Sequence, residues 1–111
     1  MELKPGRNIA IKVPLYKWAE TVEYYRDRVG LAVTNETSES VGFAFGEMTL
    51  WLDRVEKQSQ VDVWLELFSD DPAAALEHLE SPKRDELEPL DGVQAHWTSD
   101  PAGVVLLVRK D

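Results

Sequence analysis

The chain has 111 residues, of which 43% are hydrophobic and 30% charged, and its net charge is −9. This composition is typical of one soluble globular domain. The absence of cysteine excludes disulfides, thiolate nucleophiles and cysteine-ligated metal sites. The negative charge would repel a phosphate backbone, so nucleic acid is not an expected partner. The sequence has neither a long apolar run nor a signal peptide, so we expect a cytoplasmic protein without a membrane partner.

Alternating hydrophobicity organises the first half of the chain. After a loose leader, Met1 to Gly6, the residues from Asn8 to Val13 alternate as in a half-buried strand. A helix is predicted from Tyr16 to Arg28, and Gly30 ends it. Its apolar stripe consists of Trp18, Val22, Tyr25 and Val29. Three short strands are then predicted: Leu31 to Thr37, Val41 to Phe45 and Met48 to Asp53.

The second half repeats this order after a polar linker, Arg54 to Gln60. A strand is predicted from Val61 to Phe68, and then a helix that Asp70 or Asp71 caps and Pro72 begins. The turn-rich residues 83–92 leave room for a short strand around Leu87. The last elements are two strands, Val93 to Thr98 and Val104 to Val108, joined by the turn Asp100-Pro101-Ala102-Gly103.

The order β-α-β-β-β therefore occurs twice, which indicates an internal duplication with little sequence identity between its halves. We predict a single domain, residues 1–111, built from one module at about residues 7–54 and a second at about residues 60–109.

Three segments carry a resemblance to a known family. They are Tyr-Tyr-Arg-Asp-Arg-Val-Gly-Leu at 24–31, Asp-Asp-Pro-Ala-Ala-Ala-Leu-Glu at 70–77, and Ser-Asp-Pro-Ala-Gly at 99–103. In this order and spacing the chain resembles the vicinal oxygen chelate superfamily, which includes glyoxalases, bleomycin-resistance proteins and extradiol dioxygenases. The resemblance implies an α+β fold in which two tandem βαβββ modules form a curled mixed sheet around a concave cleft.

In such a fold the strand faces opposite the helices line the cleft. Alternation predicts which side chains would point inward. They are Asn8, Ala10, Lys12, Thr49, Trp51, Asp53, Asp62, Trp64, Glu66, Phe68, Gln94, His96, Thr98, Val105 and Leu107.

Enzymes of this superfamily usually bind one divalent metal through His, Glu or Gln side chains. The resemblance places the corresponding positions at Asn8, Trp51, Trp64 and Leu107. Asn is a poor ligand for such metals, and the other three side chains cannot coordinate. We therefore expect no metal and no other cofactor. A displaced donor set around His96, with Glu66, Asp62 and Asp53, is the alternative.

Aromatic and acidic side chains share the predicted inward faces, although core packing is the alternative role for each aromatic ring. Rings stack on planar groups and bind cations over their faces. The sequence thus predicts a metal-free protein that binds a planar or cationic small molecule, similar to the bleomycin-resistance branch, whose members form homodimers. The predicted ligand-binding residues are Trp51, Trp64, Phe68, Asp53, Asp62, Glu66, His96 and Asn8.

The sequence leaves two other functions open. One is a small lyase, isomerase or dioxygenase-type enzyme in which His96 and Glu66 are the catalytic pair. The other is a partner-binding module whose cleft is filled by its own tryptophans. His78, on the second predicted helix, is expected to face solvent.

Overall fold

Seven strands and two α-helices make up the chain in the computed structural model, which describes residues 2–111. The strands are β1 (Leu3–Pro14), β2 (Val33–Glu36), β3 (Ser40–Phe45), β4 (Met48–Val55), β5 (Asp62–Ser69), β6 (Ala95–Ser99) and β7 (Val105–Arg109). The helices are α1 (Trp18–Glu23) and α2 (Pro72–Leu79). The α+β class is confirmed. None of the described helices is long and apolar enough to span a membrane.

The chain divides into a first unit, residues 7–63, and a second unit, residues 2–6 together with 64–111. In the first unit the strand order is β2-β3-β4-β1. Strand β1 is parallel to β4, and the other neighbours are antiparallel. One face of this sheet and helix α1 enclose a core of Val13, Val22, Val41, Phe43, Leu50 and Leu52.

In the second unit the strand order is β5-β7-β6, with β5 parallel to β7 and β6 antiparallel to it. Helix α2 packs on β6 and β7, and Ala75 and Leu76 meet Val108 and Leu67 in its core. As predicted, Pro72 begins this helix, and the Asp71 side chain accepts a hydrogen bond from the Ala74 N–H at 3.1 Å.

The two units repeat one pairing scheme. Ile9 pairs with Leu50 in the first unit, and Leu65 pairs with Leu106 in the second. The paired residues are 41 positions apart in both cases, from 9 to 50 and from 65 to 106. This common register supports the duplication that the element order predicts.

The turn between β6 and β7 forms as the sequence predicts. The Asp100 side chain accepts hydrogen bonds from the backbone N–H groups of Ala102 and Val104, at 2.9 and 2.8 Å. The Gly103 N–H donates to the Asp100 carbonyl at 3.0 Å. Gly103 has a φ of 99°, a conformation that side chains with a Cβ atom rarely adopt.

Several predicted bounds are wrong. Strand β1 begins at Leu3, so residues 3–6 are not a loose leader; Met1 lies outside the described residues. The first helix starts as a 3₁₀ turn (Leu15–Lys17) and ends as a π turn (Tyr24–Arg28), and Val29 is half exposed rather than part of the stripe. The second module lacks the short strand around Leu87, where the structure has turns.

Substitution of two phenylalanines of β3 would test the core assigned to the first unit. Phe43 has no exposed surface, whereas Phe45 is 47% exposed. We expect Phe43→Ala to lower the free energy of unfolding by about 3–5 kcal/mol, because it removes buried apolar surface and leaves a cavity. Phe45→Ala, the same change two residues along the strand, should cost less than about 1 kcal/mol. Urea denaturation measures both, and equal losses would contradict the assigned core.

Candidate functional site

The parallel pair β1 and β4 separates two sets of side chains in the first unit. Ile9, Ile11 and Leu52 pack toward the core under α1. Since successive side chains of a strand point to opposite faces, the alternate residues lie on the face without a helix. We call it the helix-free face. It carries Asn8, Ala10, Lys12, Thr49, Trp51 and Asp53, so the first-unit residues predicted to share a face do share one.

Trp51 is held on this face by a side-chain hydrogen bond. Its indole Nε1–H donates to Oδ1 of Asn8 at 2.8 Å. The ring lies over Gly42, where an added Cβ atom would be only 3.1 Å from the ring. The neighbouring strand therefore has no side chain at the point where the half-buried indole crosses it. The hydrogen bond and the contact together restrict the orientation of the ring.

Two residues further along the same strands, a lysine is buried with a carboxylate partner. Nζ of Lys12 lies 2.8 Å from Oδ2 of Asp53, and Oδ1 of Asp53 accepts a hydrogen bond from the Ser40 hydroxyl at 2.7 Å. The Lys12 side chain is only 6% exposed and that of Asp53 is 23% exposed. The carboxylate of Asp53 is therefore neutralised within the sheet, which limits its attraction for a cationic ligand.

The residues at the metal positions implied by the resemblance do not fit a metal. Oδ1 of Asn8 already accepts the Trp51 N–H, and the side chains of Trp64 and Leu107 carry no atom that binds such a cation. Within residues 2–111, no group of three or more His, Cys, Asp or Glu side chains is placed to bind a metal ion. The displaced donor set around His96 is therefore not assembled.

In the second unit, aromatic rings on the helix-free face pack on one another. Trp64 and Trp97 make an edge-to-face contact with ring centroids 5.0 Å apart, and they are 8% and 7% exposed. The Trp97 indole N–H donates to the backbone carbonyl of Glu88 at 3.2 Å. Phe68 is also buried. Trp64 therefore fits the core-packing role better than the role of an open stacking surface.

Glu66 is a buried carboxylate on the same face. Its side chain is 5% exposed, and its Oε2 lies 3.8 Å from Nη1 of Arg109. The space beside it depends on Gly6, since a Cβ atom there would lie 2.5 Å from Glu66 side-chain atoms. Asp62, at the start of β5, is half-buried, and its Oδ1 accepts the Val63 N–H at 3.0 Å.

The predicted inward orientation of His96 and Thr98 is wrong. His96 pairs with Val108, which packs under α2, whereas Glu66 pairs with Leu107. His96 thus lies on the helix-covered face and Glu66 on the opposite one. Gln94 precedes β6, and Trp97 takes the helix-free face. His96 and Glu66 cannot act as the catalytic pair that the sequence suggested.

The carboxylate partner of His96 is Asp85. Oδ2 of Asp85 accepts a hydrogen bond from Nδ1 of His96 at 2.9 Å, and its Oδ1 accepts the Trp97 N–H at 2.9 Å. Burial alone would raise the pKa of Asp85. The bonds from His96 and Trp97 outweigh that effect and keep its pKa below the ordinary value.

Sequence reasoning overlooked Ser40 and Asp85. Ser40 begins β3, and strand pairing alone brings it opposite Asp53. Asp85 lies in turns between α2 and β6, where no periodicity predicts which of several acidic residues turns toward the sheet.

The Lys12–Asp53 pair generates a double-mutant test. Lys12→Met and Asp53→Asn should each lower the free energy of unfolding by about 3 kcal/mol, because each removes one member of a largely buried ion pair. The double variant should lose less than the sum, with a coupling of about 1–3 kcal/mol measured by urea denaturation. The exposed pair Lys17 and Glu20, 3.6 Å apart, is the control and should couple by less than about 0.5 kcal/mol. Equal coupling in both pairs would show that burial does not strengthen the Lys12–Asp53 interaction.

The Asp85 hydrogen bonds predict a pH dependence. A carboxylate whose pKa is lower in the folded than in the unfolded state stabilises the fold above its ordinary pKa, and this stabilisation is lost as the pH falls through the folded-state pKa. The difference in unfolding free energy between the wild type and Asp85→Asn should therefore shrink from about pH 5 to about pH 3. Glu86→Gln, which removes a more exposed carboxylate, is the control. A difference that grows on acidification would contradict the assignment.

Comparison with models of protein families gave no match, and comparison with curated proteins gave none. Solved structures do match. A glyoxalase/bleomycin resistance protein/dioxygenase superfamily member from Vibrio splendidus aligns with a TM-score of 0.61 and 11% identity over 99% of this chain and 100% of that one. Homoprotocatechuate 2,3-dioxygenase from Arthrobacter globiformis aligns with a TM-score of 0.66 and 20% identity over 99% of this chain.

A variant of homoprotocatechuate 2,3-dioxygenase from Brevibacterium fuscum gives a TM-score of 0.66 at 16% identity. This chain spans 37% of the Arthrobacter dioxygenase and 33% of the Brevibacterium dioxygenase. At sequence identities of 11–20%, the structural similarity is evidence for a shared fold alone. The α+β architecture, the repeated strand register and these structures together show that the chain has the vicinal oxygen chelate fold.

Proposed function

We propose that this protein binds a planar small molecule without a metal, and that Trp51 is the surface on which the ligand stacks. The observation that carries the proposal is the hydrogen bond from the Trp51 indole to Asn8. Asn8 and Trp51 are the two first-unit residues at positions that the resemblance assigns to metal ligands. Their hydrogen bond holds an aromatic ring at that place.

A pre-oriented ring favours stacking, because less side-chain freedom is lost when the ligand binds. Trp51 is the half-buried tryptophan of the helix-free face, whereas Trp64 is packed against Trp97. Part of the Trp51 indole is therefore accessible to a planar ligand. Asn8 holds that ring by a hydrogen bond, and the Lys12–Asp53 pair lies further along the same two strands.

Positive charge on the ligand is part of this proposal. The net charge of −9 attracts cations to the surface as a whole, and tryptophan is the best aromatic partner for a cation. Asp53 contributes less than the sequence suggests, because Lys12 neutralises it. The homodimer expected from the resemblance also belongs to this proposal, and sedimentation would measure it.

Binding of thioflavin T, a planar cationic dye, tests the proposal. We expect the dye to quench tryptophan fluorescence saturably, and Trp51→Leu to weaken its affinity about tenfold, since stacking on one ring contributes about 1–3 kcal/mol. Trp18→Leu, a change on α1 beside the opposite face, should leave the affinity unchanged. Zn²⁺ or a chelator should not alter it.

Circular dichroism of both variants separates loss of binding from loss of fold. If folded Trp51→Leu binds the dye as the wild type does, the assigned stacking surface is wrong. If a chelator abolishes binding, the metal-independent function is wrong.

A further inference from the structure

The helix-covered face of the second unit contains a histidine whose orientation is imposed by a carboxylate. Asp85 is held by the Trp97 N–H at 2.9 Å and has Nζ of Lys83 3.6 Å away. The Trp97 N–H donates to Oδ1, whereas Oδ2, the oxygen nearest Lys83, accepts the Nδ1–H of His96 at 2.9 Å. The carboxylate is thus positioned by the backbone of β6, and it in turn positions the imidazole.

This arrangement selects the protonation state of each ring nitrogen. Because Nδ1 donates to Asp85, Nε2 of the neutral ring carries a lone pair and is the proton-accepting atom. No group among residues 2–111 hydrogen-bonds Nε2. The His96 side chain is 23% exposed, so a small molecule can reach it.

A cavity of about 350 Å³ lies between α2 and β6, and His96 lines it. Ala73 and Leu76 give it an apolar wall, Lys83 contributes an ammonium group, and Glu77 and Glu80 contribute carboxylates. The apolar wall suits a neutral substrate, which can bury its own apolar surface against it. The two carboxylates disfavour anionic molecules such as phosphates.

We propose that His96 and Asp85 form a second functional site, in which His96 is a general base for the hydrolysis of small neutral esters and Asp85 is its positioning residue. The site does not depend on ligand binding at Trp51, which lies in the other unit.

Water is the second reactant in the proposed step. Nε2 of His96 takes a proton from a water molecule as the water oxygen bonds to the ester carbonyl carbon. The bond between that carbon and the leaving oxygen then breaks, and the leaving oxygen takes the proton back from His96. The products are a carboxylic acid and an alcohol. The ammonium group of Lys83 is the charge in the cavity that can stabilise the negative carbonyl oxygen.

The hydrolysis of 4-nitrophenyl acetate tests this site, with the chain's other histidine as the control. We expect His96→Gln to lower kcat/KM by about 100-fold, the scale of general-base catalysis. His78→Gln should leave it unchanged. Asp85→Asn should lower kcat more than it raises KM, because an amide no longer enforces the reactive tautomer.

Imidazole rescue separates chemistry from folding. Added imidazole should restore hydrolysis to His96→Gly above the rate that it adds to His78→Gly, because only the first variant has a cavity beside Asp85. Circular dichroism checks that the variants fold. If folded His96→Gln and His78→Gln hydrolyse the ester equally, or if imidazole rescues neither selectively, the site is refuted, whatever happens to dye binding at Trp51.

Discussion

The parallel pairing of the first and last strands of each module is the constraint on which the rest of the structure depends. A strand has a period of two, so a shift of one residue would exchange every side chain between the two faces. The register that pairs Ile9 with Leu50 also sets Lys12 opposite Asp53. The same 41-residue separation recurs in the second unit, where it sets Glu66 opposite Leu107.

This register explains why the residues of the helix-free face can vary independently of the core. The apolar residues that pack under the helices alternate with the residues of the helix-free face, so the second set can change without removing the core. Asn8 and Trp51 satisfy each other with one hydrogen bond. A typical intramolecular hydrogen bond contributes about 0.5–1.5 kcal/mol, so the amide at position 8 stabilises the ring it faces.

Alternation of apolar residues predicts the faces of a strand well in β1 and poorly in β6. From Asn8 to Val13, the alternation predicts Ile9, Ile11 and Val13 on one face, and these residues do pack at the core. From Val93 to Thr98 the polar set, with His96 and Thr98, suggested the wrong face. Trp97 is buried on the helix-free face, and Thr98 is fully buried under the helix. In a strand covered on both sides, polarity does not distinguish the faces.

The position of His96 also follows from the missing strand of the second module. In the first unit β2 pairs with β3, but in the second unit turns replace that strand, and β6 is left at the edge of the β5-β7-β6 order. An edge strand has backbone groups without a neighbouring strand. Here Arg84 donates its N–H to the Trp97 carbonyl at 2.7 Å, and the Asp85 side chain accepts the Trp97 N–H. The residues that replace a strand therefore bring a carboxylate to the sheet edge, where it meets His96.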